Sequence, residues 1–203
     1  MKKFMALLLV AGMTLSLTAC GGSTDTAKTD QADGKDTFTV GFDQDFPPFG
    51  YVGDDGEFTG FDIEMATECA ARMGKKIVLQ PIDWDAKDME LEAGTIDCIW
   101  NGFTMNGRED QYTWTDPYMD NSQVVVVKKD SGINTLADLA GKVVEVQKES
   151  AAETALNDEE HADLMASFAQ LLSVGEYNTA FMDLESGAVD AVAIDIGVAQ
   201  FQI

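Results

Sequence analysis

Short apolar segments with strand periodicity alternate with longer segments of helical periodicity along most of the chain. Residues 38–42 alternate in the manner of a β-strand, and the two prolines within residues 45–49 end it. Residues 61–73 carry apolar side chains at helical spacing, and Gly74 follows at a helix C-cap position. Residues 77–79 predict the next strand, so the pattern favours an α/β fold. The predicted apolar face of the helix consists of Ala66, Cys69, Ala70 and Met73.

An internal repeat relates residues 89–99 to residues 182–192 at a constant offset of 93 residues. The first copy reads MELEAGTIDCI and the second reads MDLESGAVDAV. Each copy combines a helix end, a glycine at the C-cap and an apolar strand, which is one α-to-β step of an α/β sheet. The chain is therefore predicted to hold two similar α/β lobes with a ligand cleft between them.

The predicted first lobe comprises residues 37–122, and the hinge strand with the second lobe comprises residues 123–203. The strand Val124–Val127 carries the chain between them in this interpretation. Ligands of open α/β sheets bind beyond the carboxyl ends of the strands, which selects Asn101 and Gly102 in the first lobe and Asp195 in the second. Gly102 and Asp195 are equivalent under the repeat offset, so we expect them to face each other across the cleft.

The N-terminus has the features of an export signal. A basic start at Lys2 and Lys3 precedes an apolar segment that is too short and too polar for a membrane span. Residues 17–21, LTACG, resemble the lipobox of bacterial lipoproteins, in which the cysteine is acylated after cleavage. We therefore predict a signal peptide over residues 1–19, lipidation at Cys20, and a polar, flexible tether over residues 20–36.

Composition excludes several classes of function. The formal net charge of −23 argues against nucleic acid as a partner. Cys69 and Cys98 are too few for a zinc pattern or a disulfide framework, and whether they pair with each other stays open. His161 is the only histidine. No metal or cofactor is expected.

One basic residue suits recognition of an amino acid. A zwitterionic ligand needs a planar cation or a helix N-terminus for its carboxylate and an anion or carbonyl oxygens for its ammonium. Arg108 follows the loop after the first repeated strand, where its guanidinium can hold a carboxylate in bidentate fashion. The alternative is a surface arginine paired with Glu109 or Asp110.

Several motifs together identify a family. The segments GFD at 41–43, FPPF at 46–49, GFDI at 60–63 and NGFT at 101–104 with Arg108 resemble the periplasmic polar amino-acid-binding proteins. These are the solute-binding family of amino-acid ABC transporters. The resemblance extends over about residues 37–203 and implies a fold similar to the type II periplasmic binding proteins.

The resemblance assigns roles to residues of the cleft. It implies that Arg108 and Thr104 hold the ligand carboxylate, together with backbone amides at Ser150 and Ala151, where a helix begins. The backbone at Gly102 and the acid Asp195 would hold the ammonium. Phe46 and Trp84 would flank the ligand, and Asp43 would meet its side chain; loop anchoring, core packing and a turn acid are the respective alternatives. The loop 104–108 is one residue shorter than is common in the family, and Ala151 replaces a frequent hydroxyl.

The resemblance also implies the protein's surroundings. We expect a monomer on the extracytoplasmic face of the membrane that delivers an amino acid to an ABC transporter permease. The chain ends at Ile203, where family members continue, so the second lobe is expected to be incomplete. A dehydratase-like enzyme on the same fold and a ligand-sensing ectodomain are the alternatives, and the identity of the amino acid stays open.

Overall fold

The first lobe is built around a three-stranded parallel sheet. The structure, a computed structural model, describes residues 35–203, so the predicted signal peptide, Cys20 and most of the tether lie outside the described residues. Strand β1 (Thr37–Phe42) lies at the centre of the sheet. It pairs with β5 (Lys76–Pro81) on one side and β6 (Cys98–Ile99) on the other. Helices α1 (Phe61–Arg72) and α2 (Lys87–Ala93) connect these strands. A second, antiparallel sheet consists of β2 (Asp45–Phe46), β3 (Gly50–Val52) and β4 (Phe58–Thr59).

The second lobe contains a four-stranded mixed sheet. Its strands are β7 (Gln123–Val127), β8 (Val143–Gln147), β9 (Gln170–Val174) and β10 (Ala191–Asp195), in the order β7-β10-β8-β9. Strand β10 runs parallel to β8 and antiparallel to β7. The helices of this lobe are α3 (Ala151–Asn157), α4 (Ala162–Ser167), α5 (Tyr177–Ser186) and α6 (Ile196–Gln202). The structure thus confirms the predicted α/β class with two lobes.

The sequence repeat corresponds to a repeated turn. Gly94 follows α2 with φ 70° and Gly187 follows α5 with φ 84°, both in the left-handed region that glycine adopts without strain. Each turn leads into the strand that the repeat predicted, β6 and β10. The predicted apolar face of α1 was wrong at Met73, which is 46% exposed, because the helix instead buries Ile63, Ala66 and Ala70 against the sheet.

A shared core joins the two lobes. Phe46, at the end of β2, and Phe49, from the loop between β2 and β3, belong to the same buried cluster as Tyr177, Ala180 and Val198 of the second lobe. The rings of Phe46 and Phe49 stack with their centroids 5.5 Å apart, and Phe46 lies 6.0 Å from Tyr177. Large aromatic surfaces from one lobe are therefore removed from water by the other.

No described helix is long and apolar enough to cross a membrane. Both cysteines of the described region, Cys69 and Cys98, are free thiols. Burial, with smaller contributions from Asp97 and Cys69, raises the pKa of Cys98 to about 12. This thiol stays protonated at neutral pH and packs as an apolar group.

Gly60 allows the loop that carries the two phenylalanines to approach α1 closely. It has φ 128°, and a Cβ atom there would lie 2.3 Å from the carbonyl oxygen of Phe49. The close approach lets the amides of Phe61 and Asp62 donate to the carbonyls of Pro48 and Phe49, at 2.9 and 3.0 Å. The orientation of the Phe46–Phe49 loop thus depends on a residue without a side chain.

We expect Gly60→Ala to destabilise the protein by about 3 kcal/mol or more, because backbone strain adds to a clash with backbone atoms. Gly56→Ala is the matched control, since Gly56 also has a positive φ, of 82°, but no atom lies within 4 Å of its Cβ position. Strain alone predicts a loss of about 1 kcal/mol for the control. Urea unfolding of both variants checks this, and equal losses would contradict the close approach.

Candidate ligand-binding cleft

A cavity lies where the carboxyl ends of β6, β8 and β10 meet. Side chains and backbone of both lobes form its wall. The lining residues are Phe46, Trp84, Asn101, Gly102, Phe103, Thr104, Arg108, Gln147, Ser150, Ala151 and Asp195. Nine of the ten residues predicted for the site lie on this wall, and Asp43 does not.

Arg108 is a buried cation with neutral hydrogen-bond partners. Its side chain donates to the carbonyl of Thr104 at 3.2 Å, the carbonyl of Glu149 at 3.1 Å and the hydroxyl of Thr154 at 3.2 Å. These bonds account for three of the five N–H donors of a guanidinium. The residue is only 8% exposed and forms no salt bridge with any acid of the described region. A buried charge without an ion pair favours an anion in the adjoining cavity.

Further donors surround the same part of the cavity. The hydroxyl of Thr104 accepts a hydrogen bond of 3.0 Å from Asn121, which leaves its own proton free to donate. Ser150 caps α3, and its amide donates to the carbonyl of Gln147 at 3.2 Å. The Ser150 amide, which we expect to hold a ligand carboxylate, therefore has an acceptor within the protein in this structure. The amide of Ala151, at the first position of α3, has no acceptor within the helix.

Asp195 is the buried anion of the cavity. It ends β10, is 5% exposed, and accepts hydrogen bonds at Oδ1 from the side-chain amides of Asn121 and Gln123. Burial raises its pKa, whereas these hydrogen bonds and the positive charge of Arg108 act in the opposite direction. No donor from residues 35–203 reaches its second oxygen, Oδ2, so Asp195 offers an acceptor suited to an ammonium group.

The backbone at Gly102 is held by a chain of hydrogen bonds. Gly102 has φ 57°, and its amide donates to the hydroxyl oxygen of Tyr118 at 3.2 Å. Tyr118 donates in turn to Oδ1 of Asp62 at 2.9 Å. The neighbouring Asn101 accepts from the amide of Asp43 through its side-chain oxygen at 2.9 Å. Asn101 therefore connects the loop after β6 to the loop after β1.

Aromatic rings form the apolar part of the wall. Trp84, 7% exposed, contacts Phe103 edge-on with the ring centroids 5.1 Å apart. The guanidinium carbon of Arg108 lies 5.2 Å from the centroid of Phe103. Phe46 lines the cavity and also belongs to the shared core. Its predicted contact with ligand and its alternative role as a loop anchor are thus compatible.

Asp43 lies behind the cavity wall, outside the position expected for contact with a ligand side chain. Its Oδ2 accepts from Nε2 of Gln147 at 2.6 Å, and Gln147 also donates to the carbonyl of Gly175 at 2.9 Å. Burial raises the pKa of Asp43 to about 6, although hydrogen bonds from Asp45 and Gln147 oppose the rise. Gln147, rather than Asp43, forms the wall here.

Sequence reasoning missed several residues of the site. Gln147 ends a strand of a parallel pair, and the carboxyl-end rule that selected Asp195 selects it as well. Asn121 and Gln123 carried no comparable signal, because their partner Asp195 lies more than seventy residues away in the sequence. The same applies to the contact between Asp62 and Tyr118, which are 56 residues apart.

Comparison with known proteins gives this cleft a context. The family of bacterial extracellular solute-binding proteins, family 3, matches residues 38–181. The chain belongs to this family. The arginine-binding extracellular protein ArtP of Bacillus subtilis is 36% identical over 148 residues, which cover 72% of this chain and 56% of ArtP. The L-cystine-binding protein TcyJ of Escherichia coli is 31% identical over 194 residues, which cover 94% of this chain and 69% of TcyJ.

A solved structure of an amino-acid-bound protein has a fold similar to that of this chain. An ABC uptake transporter substrate binding protein from Streptococcus pneumoniae with bound histidine is similar with a TM-score of 0.78 at 36% identity. The similar region covers 82% of this chain and 69% of that protein. The chain thus spans little more than half of ArtP and about two thirds of the other two proteins.

The titration of Asp62 provides a test of the hydrogen-bond chain behind Gly102. Asp62 is fully buried, its Oδ2 has no partner in the described structure, and burial raises its pKa to about 6, against the effect of Tyr118. Between pH 4 and 6 the folded protein retains a proton that the unfolded chain has lost. The contribution of Asp62 to stability therefore falls as pH rises through this window.

We expect the stability difference between Asp62→Asn and the wild type to shift by about 2 kcal/mol in favour of Asp62→Asn as the pH rises from about 4 to about 7. The reason is that the amide carries no charge to desolvate. Glu64→Gln, at an exposed acid of the same helix turn, is the matched control for the loss of one carboxylate. Urea unfolding at several pH values measures both. A difference between Asp62→Asn and wild type that is independent of pH would contradict the raised pKa.

Proposed function

We propose that the protein binds a free α-amino acid between its two lobes. The observation that carries this proposal is the pairing of two opposite charges in one cavity. Arg108 is buried without an acidic partner among the described residues, and Asp195 is buried with one oxygen free of protein donors. A zwitterion satisfies both groups at once, whereas a simple anion or cation satisfies only one.

In the proposed complex the ligand carboxylate contacts the guanidinium of Arg108. The hydroxyl of Thr104 and the amide of Ala151 supply the remaining donors. The ligand ammonium donates to Oδ2 of Asp195 and to the carbonyl of Gly102. Phe46 and Trp84 enclose the Cα region, where rigid rings provide apolar contact at little entropic cost.

The relatives support a shared mode of recognition with variable side chains. ArtP is named for arginine, TcyJ for cystine, and the pneumococcal structure contains histidine. These ligands differ in their side chains and share the α-carboxylate and α-ammonium groups, which Arg108 and Asp195 suit. In this proposal the loaded protein acts as a monomer and delivers the amino acid to the permease of an ABC importer, without converting it.

We further propose that the protein is tethered to the extracytoplasmic face of the membrane. The family is named extracellular, and the residues LTACG at positions 17–21 support acylation at Cys20. The polar segment 20–36 then separates the binding lobes from the membrane surface.

A thermal-shift screen tests the proposed ligand class. The purified protein is heated with each of the twenty amino acids, cystine and ornithine, because ligand binding raises the apparent melting temperature by mass action. We expect a rise with one chemical group of amino acids. Mass spectrometry should recover the ligand unchanged, and its conversion would favour the dehydratase-like alternative.

For the amino acid found in this way, Arg108→Ala should weaken binding by about 2 to 3 kcal/mol, a factor of roughly 30 to 140, because a buried carboxylate loses its charged partner. Arg72→Ala is the control, since Arg72 lies on the surface and its side chain is 78% exposed. Calorimetric titration measures both affinities. Equal affinity in Arg108→Ala and wild type would contradict the assignment of the carboxylate site.

The membrane tether predicts a change in partitioning. In cells that process lipoproteins, the wild-type protein should enter the detergent phase of a Triton X-114 separation, and Cys20→Ser should enter the aqueous phase. Cys69→Ser serves as the control because Cys69 lies within α1. Detergent-phase recovery of Cys20→Ser would refute acylation at this position.

A further inference from the structure

Glu149 has an unusual backbone conformation for its residue type. Its φ of 57° makes it the one non-glycine residue with positive φ among residues 35–203. L-residues with a side chain adopt this region only against steric strain, and such strain persists where surrounding contacts stabilise it. Glu149 lies in the turn between β8 and α3, immediately before two residues of the cavity wall, Ser150 and Ala151.

Three contacts hold Glu149 in this conformation. Its carboxylate accepts from Nζ of Lys87 at 2.7 Å, its carbonyl accepts from Arg108 at 3.1 Å, and its amide donates to the carboxylate of Glu153 at 2.6 Å. Lys87 and Arg108 belong to the first lobe, whereas Glu149 and Glu153 belong to the second. Glu149 thus contacts the first lobe through both its side chain and its backbone.

Lys87 depends on this contact for its charge compensation. Its side chain is 3% exposed, and Glu149 is its partner in the described structure. Its ammonium also lies 5.3 Å from the ring centroid of Trp84, a residue of the cavity wall. Lys87 therefore adjoins Trp84, and Glu149 adjoins Arg108. Both Trp84 and Arg108 are residues proposed to bind the ligand.

We propose that Glu149 is a positioning residue that couples the approach of the two lobes to the orientation of Arg108. The Lys87–Glu149 ion pair forms when the lobes close, and the same residue then supplies the carbonyl that holds the guanidinium toward the cavity. Separation of the lobes breaks both contacts together. This inference rests on the proposed binding of an amino acid and adds the residue that connects binding to closure.

Glycine would adopt the backbone conformation of Glu149 without strain but would lack the carboxylate. The presence of glutamate therefore indicates that the ion pair has a role beyond the turn. A second ion pair across the lobes, Lys148–Asp85 at 2.6 Å, has side chains that are 55% and 36% exposed. Exposed pairs contribute little, so this pair is a matched control for one with a buried lysine.

The test compares ligand-induced closure in single and double variants. The probe is an equimolar mixture of the non-fluorescent amino acids used in the screen, without tryptophan and tyrosine, titrated into the full-length protein. Tryptophan fluorescence reports occupancy, because Trp84 lines the cavity, and small-angle scattering reports compaction. The variants are Lys87→Met, Glu149→Gln, their combination, and Lys148→Met as the control.

We expect Lys87→Met and Glu149→Gln each to raise the midpoint of the titration about tenfold. The double variant should match the single variants, and Lys148→Met should change the midpoint less than twofold. Additive effects of the two single variants, or midpoints equal to wild type, would overturn the coupling. A wild-type protein that neither compacts nor changes fluorescence would instead refute amino-acid binding itself, and this proposal with it.

Glu149→Gly separates the ion pair from the strain. We expect it to raise the titration midpoint as Glu149→Gln does, while it increases the melting temperature of the ligand-free protein because glycine accommodates the positive φ. If Glu149 served only to build the turn, the midpoint in Glu149→Gly would stay at the wild-type value.

Discussion

A buried guanidinium without an anion from the described protein is the constraint on which the cleft depends. Arg108 is surrounded by carbonyl and hydroxyl oxygens and by the face of Phe103, which reduce the cost of burying its charge but do not neutralise it. The neutral partners come from the loop of Arg108 itself and from the turn and first residues of α3. Both lobes therefore contribute to the stability of this one side chain, and its remaining donors define the polar end of the cavity.

The opposite charge, on Asp195, has hydrogen-bond donors at only one of its two oxygens among the described residues. Two amide side chains hold one of its oxygens, and burial raises its pKa. Because desolvation and hydrogen bonding act in opposite directions, the carboxylate is fixed in position while one face stays available to a cation. In the closed arrangement both charges therefore have fixed positions at opposite ends of the cavity.

Much of the fold and part of the site could be predicted from the sequence, for identifiable physical reasons. Periodicity and the two C-cap glycines, Gly94 and Gly187, are local signals, and they gave the lobes and the strands β6 and β10 correctly. The carboxyl-end rule placed Asn101, Gly102 and Asp195 near one another, since it depends only on sheet topology.

The remaining features depend on long-range contacts that a single sequence does not encode locally. Gln147 intervenes between Asp43 and the cavity because the loop after β1 meets the end of β8, from the other lobe, at this point. The exposure of Met73 reflects how α1 rests on its sheet, and the strain at Glu149 reflects contacts with residues in another lobe. Each of these outcomes is decided by packing, which overrides what the local pattern indicates.

The side chain of Asn121 is shared between the two ends of the cavity. One amide nitrogen donates both to the hydroxyl of Thr104 and to the carboxylate of Asp195. The spacing between the Thr104 hydroxyl and the Asp195 carboxylate is therefore set by the two hydrogen bonds of a single amide nitrogen. In the proposed complex this spacing matches the main chain of an α-amino acid, with one carbon between carboxylate and ammonium, and the side chain is recognised elsewhere.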